Sequence, residues 1–231
     1  MSVIANRPRP AFRLVMFDCD GTLVDSQHSI VAAMHAAFDE SGLGEPDPAA
    51  VRHVVGLTLE EAVVRLLPRA LPEQHRQVAA AYRRAFHGIR LRPDYQEPLF
   101  EGMREVIEAL SRAGSLLGIA TGKSRRGLIA TLERHGLGDI FVTLQTADDN
   151  AGKPAPDMLL RAMLETGSEP AQTVMIGDTV YDLDMARRAG AAGIAAAWGY
   201  HDAADLGSYA DAIAESPAAL LSVIDTLSRR M

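Results

Sequence analysis

The chain is poor in cysteine, lysine and aromatic residues, and it has no long apolar run. Its 231 residues include a single cysteine, Cys19, which excludes an internal disulfide and fits a reducing cytoplasm. No stretch approaches the roughly 20 apolar residues of a membrane-spanning helix, so no membrane association is expected. Met1 to Pro10 carries basic residues but no apolar segment of signal-peptide length. Low-complexity tracts are missing, and 48% of the residues are apolar, enough for a large buried core. The length suits one domain with an inserted subdomain. A net charge of −7 argues against nucleic-acid phosphate as a main partner. The expectation is a soluble cytoplasmic protein.

Lysine is the scarcest charge. Of 23 basic residues only Lys123 and Lys153 are lysine, and the rest are arginine. A GC-rich genome that favours arginine codons explains the bias, but not the places where lysine survives. Each follows a glycine, and each sits just after a predicted strand or loop instead of on a solvated helix. The two side chains are not interchangeable where a compact ammonium must reach a crowded site. Both positions therefore point to function, Lys153 more strongly than Lys123.

The most informative stretch that is present runs from Phe17 through Asp18, Cys19, Asp20 and Gly21 to Asp25. Leu14 to Phe17 reads as a short buried strand, and Asp-Gly is a strand-ending signal. If strand geometry continues, Asp18 and Asp20 project to one side while Cys19 points away. Two like charges that close repel unless something positive sits between them, and a hard divalent cation such as Mg²⁺ is the obvious neutraliser. Taken alone, Asp-x-Asp-Gly is shared with calcium loops and plain turns. Here it follows a near-continuous apolar strand, which argues for the carboxyl end of a parallel strand, where open α/β sheets place their ligands.

Residues 26 to 97 read as a helical block, with helices over Ser26–Glu40, Ala49–Val55, Thr58–Leu67 and Pro72–Ile89 and no strand between them. Thr58 and Glu61 carry a capping-box signature. From Pro98 onward helices and strands alternate, with strands at Leu116–Ala120, Ile140–Leu144, Thr173–Ile176, Gly193–Ala197 and around Ala212–Ile213. Alternation implies right-handed βαβ units and a parallel sheet. The expected fold is α/β, a doubly wound, Rossmann-like parallel-sheet core over residues 1–25 and 98–231 with an inserted helical cap over 26–97.

Three later junctions complement the two aspartates. Thr121-Gly122-Lys123-Ser124 places a hydroxyl and free amides between a strand and a helix N-terminus, an arrangement that favours phosphate but that plain helix capping also explains. Gly152-Lys153-Pro154 presents an ammonium on a proline-stiffened loop. Gly177-Asp178 through Asp182 puts one acid at a buried strand end and a second a helical turn later, available to a cation or to the helix dipole. All four junctions would converge on the carboxyl edge of one sheet. The combined inventory suits Mg²⁺-assisted attack on a phosphate.

On these residues the chain resembles the haloacid dehalogenase superfamily, in particular its phosphatases with a helical cap inserted after the first strand. Asp18 to Ser26 is similar to the first motif of that family, Thr121 to the second, Lys153-Pro154 to the third, and Gly177-Asp178 through Asp182 to the fourth. The resemblance implies that Asp18 is a nucleophile forming an aspartyl-phosphate and that Asp20 is the general acid and base. It implies that Thr121, Gly122 and Lys153 hold the phosphoryl group, that Asp18, the Asp20 backbone carbonyl and Asp178 bind Mg²⁺, and that Asp182 positions Lys153 or a metal-bound water. An acid at Asp20 argues against dehalogenase chemistry. Within the superfamily the chain looks most like phosphoglycolate phosphatases: the segment around Leu57 and Thr58 resembles their cap loop that meets substrate, and Trp198-Gly199-Tyr200-His201 resembles a late Gly-Tyr turn. One departure is Gly122-Lys123, where such relatives commonly have Asn-Lys.

The expected activity is Mg²⁺-dependent hydrolysis of a small phosphorylated metabolite, by a monomer or homodimer. A sugar-phosphate mutase of the β-phosphoglucomutase type and a non-catalytic phosphate- or metal-binding regulator are the alternatives. Arg52, His53 and Arg65 are candidate cap contacts. His28 and His201 fall near the expected crevice and are expected at the surface, and Cys19 is expected to be a small core residue.

Overall fold

Leu14, Val15, Met16 and Phe17 are buried completely, as a strand sandwiched between two helical layers must be. A computed structural model describes residues 10–230; the reading of the N-terminal segment therefore lies, apart from Pro10, outside the described residues. The strand Leu14–Phe17 (β1) is central in a six-stranded sheet of order β3-β2-β1-β4-β5-β6. The others are β2 (Leu116–Thr121), β3 (Phe141–Thr146), β4 (Thr173–Gly177), β5 (Ala192–Ala196) and β6 (Ala212–Ala214). Every pairing is parallel. This is the doubly wound α/β core that the alternation predicts. The direction of winding reverses beside β1, which opens a crevice at the carboxyl ends of β1, β2 and β4.

The period-two pattern of β1 divides its side chains between the faces. Val15 and Phe17 join a core with Ile107, Ile119, Val174 and Ile194. Leu14 and Met16 pack on the other face with Met158, Leu159, Met163 and Met185. Around the sheet lie α5 (Met103–Ala113), α6 (Arg125–Arg134), α7 (Asp157–Thr166), α8 (Val180–Ala189), the short α9 (Ala203–Leu206) and α10 (Pro217–Ser228). No helix among the described residues is long and apolar enough to cross a membrane.

Between β1 and α5 come α1 (Gln27–Glu40), α2 (Pro48–His53), α3 (Leu59–Leu66) and α4 (Pro72–Arg90). They bury their own cluster, with Ile30, Met34, Phe38, Val51, Val63 and Val78 at its centre. Asp47 caps α2 by accepting from Ala49 N at 3.0 Å. Thr58 caps α3 by accepting from Glu61 N at 3.2 Å, but its hydroxyl donates to the Glu61 carboxylate, so the expected capping box is only half formed.

Two elements escape the sequence pattern, a 3₁₀ turn at Pro170–Gln172 and the four-residue α9; each is too short for a helical period to show. Strand β3 also runs two residues past Leu144, through Gln145 and Thr146. Both are buried despite their polarity, because Gln145 donates to Thr143 and Glu165.

Candidate active site

Asp18 continues the ladder past β1, its amide donating to Ile176 O at 2.9 Å. Cys19 turns inward and packs with Val15 and Phe17. Asp18 and Asp20 therefore face the crevice, both of them lining its cavity. The chain then turns sharply at Gly21, whose φ is +93°, a conformation costly for any side chain. A Cβ there would also collide with the Asp178 carboxylate. Behind the turn, Thr22 Oγ1 donates to Asp178 Oδ1 at 2.8 Å, and Tyr200 N donates to Asp178 Oδ2 at 2.9 Å.

Lys153 lies at the centre of the acidic group. Its side chain is completely buried, with Nζ 2.7 Å from Asp18 Oδ1 and 2.5 Å from Asp182 Oδ1. Asp182 is fixed from the other side, where its Oδ2 accepts from Thr179 N at 3.1 Å and from Thr179 Oγ1 at 2.6 Å, closing a capping box at the start of α8. Asp18, Asp178 and Asp182 each bring a carboxylate oxygen within 4.8 Å of the other two.

The electrostatics of this group show a deficit of positive charge. Burial pushes the Asp18 carboxyl up to about 7, Lys153 counters that only in part, and Asp182 adds to it. Burial also holds Asp178 well above the usual carboxylate range, with Asp18 and Asp182 reinforcing it. For Lys153 burial favours the neutral amine, but Asp18 and Asp182 outweigh it and raise the ammonium above its ordinary value. Both oxygens of Asp18 are buried; Oδ1 is paired with the Lys153 ammonium, and Oδ2 has no donor among the described residues. A hard divalent cation that takes carboxylate oxygens fits this donor set. Asp18 and Asp178, whose oxygens each meet at most one donor, keep lone pairs to hold it, whereas Asp182 takes Lys153 on one oxygen and two bonds from Thr179 on the other.

Asp20 points to a different set of partners. Its Oδ1 accepts from Ser26 Oγ and from Lys123 Nζ, each at 2.6 Å. Lys123 also donates to Glu97 Oε1 at 2.9 Å. Burial alone would lower the Lys123 ammonium; Asp20 and Glu97 reverse that and hold it well above its usual value. The two aspartates thus do not share one counter-charge, and each has its own lysine.

Above the acids is a cavity of about 750 Å³ between the sheet edge and the helical block. Thr121, Gly122, Leu57 and Thr58 line it. Thr121 Oγ1 accepts from Lys123 N at 3.2 Å, which leaves its own proton free for a ligand. The far wall is apolar, from Met34, Val51, Val55, Tyr82 and Phe86. Of the candidate cap contacts, Arg52, His53 and Arg65 do not line this cavity. Arg65 binds the Tyr181 hydroxyl at 2.8 Å, and His53 stacks on His201 with 4.3 Å between ring centroids. His28 is exposed. His201, expected at the surface, is buried at 3% exposure, because the helical block closes over it.

Sequence reasoning missed Thr22, Glu97 and the hydroxyl of Tyr200, which lies 3.1 Å from Ser26 N. Thr22, inside the first motif, and Tyr200, inside the late Gly-Tyr turn, left a local signal, but Glu97 left none. Glu97 lies 77 positions from Asp20, and nothing in the spacing connects them.

The family model of the haloacid dehalogenase-like hydrolases matches residues 15–196. A probable phosphatase, IndB, of Dickeya dadantii strain 3937 is 39% identical over 191 residues, covering 81% of this chain and 82% of the relative. A phosphoglycolate phosphatase of Vibrio vulnificus strain YJ016 is 29% identical over 218 residues, with 92% and 96% covered. Among solved structures, a predicted phosphoglycolate phosphatase from Haemophilus somnus superposes with a TM-score of 0.83 at 21% identity, covering 94% of this chain and 99% of that one, a likeness of fold. With the parallel sheet, the inserted helices and the family match over residues 15–196, the chain belongs to the haloacid dehalogenase-like hydrolase family.

Proposed function

We propose that the protein is a Mg²⁺-dependent phosphomonoesterase that acts on a small organic phosphate through an aspartyl-phosphate, with helices α1–α4 serving as a cap. The observation that carries this reading is Asp18: a buried carboxylate with one oxygen paired to Lys153, the other without a donor among the described residues, and Asp178 beside it. The phosphatase names of the relatives support it.

Asp18 and Asp178 would hold Mg²⁺, which would supply charge neutralisation for the phosphoryl oxygens. Lys153 orients Asp18 and offsets its charge. The Thr121 hydroxyl and the Gly122 amide hold phosphoryl oxygens. One Asp18 oxygen bonds to phosphorus as the bond to the ester oxygen breaks, and that oxygen takes the proton of Asp20. Asp20, now ionised, removes a proton from water as the water oxygen attacks the aspartyl-phosphate. Inorganic phosphate leaves, Asp18 regains its carboxylate and Asp20 its proton. The cap excludes bulk water from these steps. The apolar wall gives the organic part of the substrate a place to bind.

A panel of phosphate esters assayed with and without Mg²⁺ tests the reading. Phosphate release that requires Mg²⁺ and disappears in Asp18→Asn is expected. Undiminished release by Asp18→Asn would overturn it, and an isomerised sugar phosphate in place of free phosphate would make the protein a mutase.

A further inference from the structure

The mechanism employs one of the two lysines and leaves the other without a task. Lys123 follows β2 on an interelement loop, where a lysine ordinarily reaches water. Its side chain is nevertheless only 7% exposed. Nζ lies 2.6 Å from Asp20 Oδ1 and 2.9 Å from Glu97 Oε1, with the Phe86 ring centroid 5.8 Å away.

Glu97 is what needs explaining. A single lysine suffices to neutralise Asp20, and burying a second acid costs several kcal/mol unless it is well paired. The Glu97 side chain is completely buried. It is also held rigidly, since Oε2 accepts from Thr131 Oγ1 at 2.8 Å and its backbone carbonyl meets His135 Nε2 at 2.8 Å. Glu97 therefore fixes the ammonium, and the ammonium fixes Asp20. On the same Asp20 oxygen lands the Ser26 hydroxyl, at 2.6 Å. Two donors on Oδ1 set the carboxylate plane and leave Oδ2, which has no donor among the described residues, as the oxygen free for proton transfer on a residue that lines the cavity. An arginine fork could not replace this compact contact, which accounts for a lysine in a chain that otherwise uses arginine.

We propose that Lys123, anchored by Glu97, is a positioning residue that holds Asp20 with Oδ2 directed at the leaving group. The proposal rests on the phosphatase reading above. General acid catalysis matters for an alkoxide leaving group and little for a good phenolate. Misplacing Asp20 should therefore act selectively on the alcohol that departs.

The test is kcat/KM, with Mg²⁺ present, for an alkyl phosphate and for p-nitrophenyl phosphate. Lys123→Met should lose about 100-fold or more on the alkyl ester, the scale of general acid catalysis, and less than about tenfold on the aryl ester. Glu97→Gln should move the ratio the same way, and Lys123→Arg should not restore it. Because Lys123→Met strands two acids, the double variant K123M/E97Q removes both buried charges and carries the test if the single variant does not fold. Thermal denaturation shows which variants are native. An unchanged ratio, or equal loss on both esters, in the folded variants would overturn the proposal. Failure of the unaltered protein to release phosphate from either ester would instead overturn the phosphatase reading itself.

Discussion

Lys153 Nζ stands 2.7 Å from Asp18 Oδ1, and both side chains are shut off from water. The pair is not balanced, because Asp182 takes the same ammonium at 2.5 Å and Asp178 completes a group of three acids. One cation among three carboxylates leaves the cluster short of positive charge, and the upward shift of Asp18 to about 7 follows from that deficit together with burial.

Removing the ammonium should be costly to the fold. Lys153→Met leaves three buried acids with no counter-charge, and breaking a buried pair in this way destabilises by about 3–5 kcal/mol. Urea unfolding in chelator should show this loss, and added Mg²⁺ should recover part of it. An unchanged midpoint would mean that the acids are already protonated in the folded protein.

Mg²⁺ itself should stabilise the unaltered protein. Ligand at a hundred times its Kd contributes about 2.7 kcal/mol, readable as a rise in Tm over the chelated sample. Asp178→Asn should abolish the rise. In chelator the same variant should be at least as stable as the parent, because it removes a buried like charge next to Asp18 and Asp182. A full Mg²⁺ shift in Asp178→Asn would place the ion elsewhere.

The sheet was legible because β1 and β4 are apolar on both faces and only a parallel sheet covered on both sides accommodates such strands. Asp18 and Asp20 were legible because period two predicts which side chains share an edge. What period and spacing cannot show is the partner of each acid. The rarity of lysine marked Lys123 as well as Lys153, yet ranked Lys123 lower, since nothing local indicates that Glu97 comes back from the far end of the helical block to meet it. The places of Arg65 and His53 were hidden for a related reason. Arg65 and His53 have the polarity of ligand contacts, but their partners, Tyr181 and His201, belong to the core, so they join core and helical block and do not line the cavity.

His201 should make that junction sensitive to acid. Its Nδ1 accepts from Val180 N at 3.4 Å while Nε2 donates to the His53 carbonyl at 3.0 Å, so the ring is neutral in this arrangement. Burial lowers its pKa; the stacked His53 also lowers it, while the His53 carbonyl, Asp182 and Asp205 oppose the shift. A group lowered in the folded state contributes fully above its unfolded value of about 6.5. Below that, the unfolded chain takes up the proton first and stability falls until the folded value is reached. Melts at pH 7.5 and 5.5 should therefore show a loss that His201→Gln reduces. An identical loss in the variant would assign the pH dependence to other groups.

Gly122→Ala should lift the loop of the helical block from the sheet edge and lower turnover. A Cβ at Gly122 would overlap the Leu57 carbonyl oxygen and lie 2.9 Å from that of Gly56. The crowding is with backbone, which cannot rotate aside as a side chain can, so the loop carrying Leu57 and Thr58 must lift. Both residues line the cavity, and a displacement of about 1 Å in a substrate-positioning element can cost about 10²-fold in rate. A side chain at position 122 has no room, because the loop carrying Leu57 sits where it would be. The φ of Gly122 is not in the left-handed region, so alanine brings no backbone strain, and the core should melt as before. The expected result is a large fall in kcat/KM at nearly constant Tm, with faster proteolysis at residues 91–97 between α4 and the core. Wild-type kinetics in Gly122→Ala would show that the loop need not seat against the sheet edge for turnover.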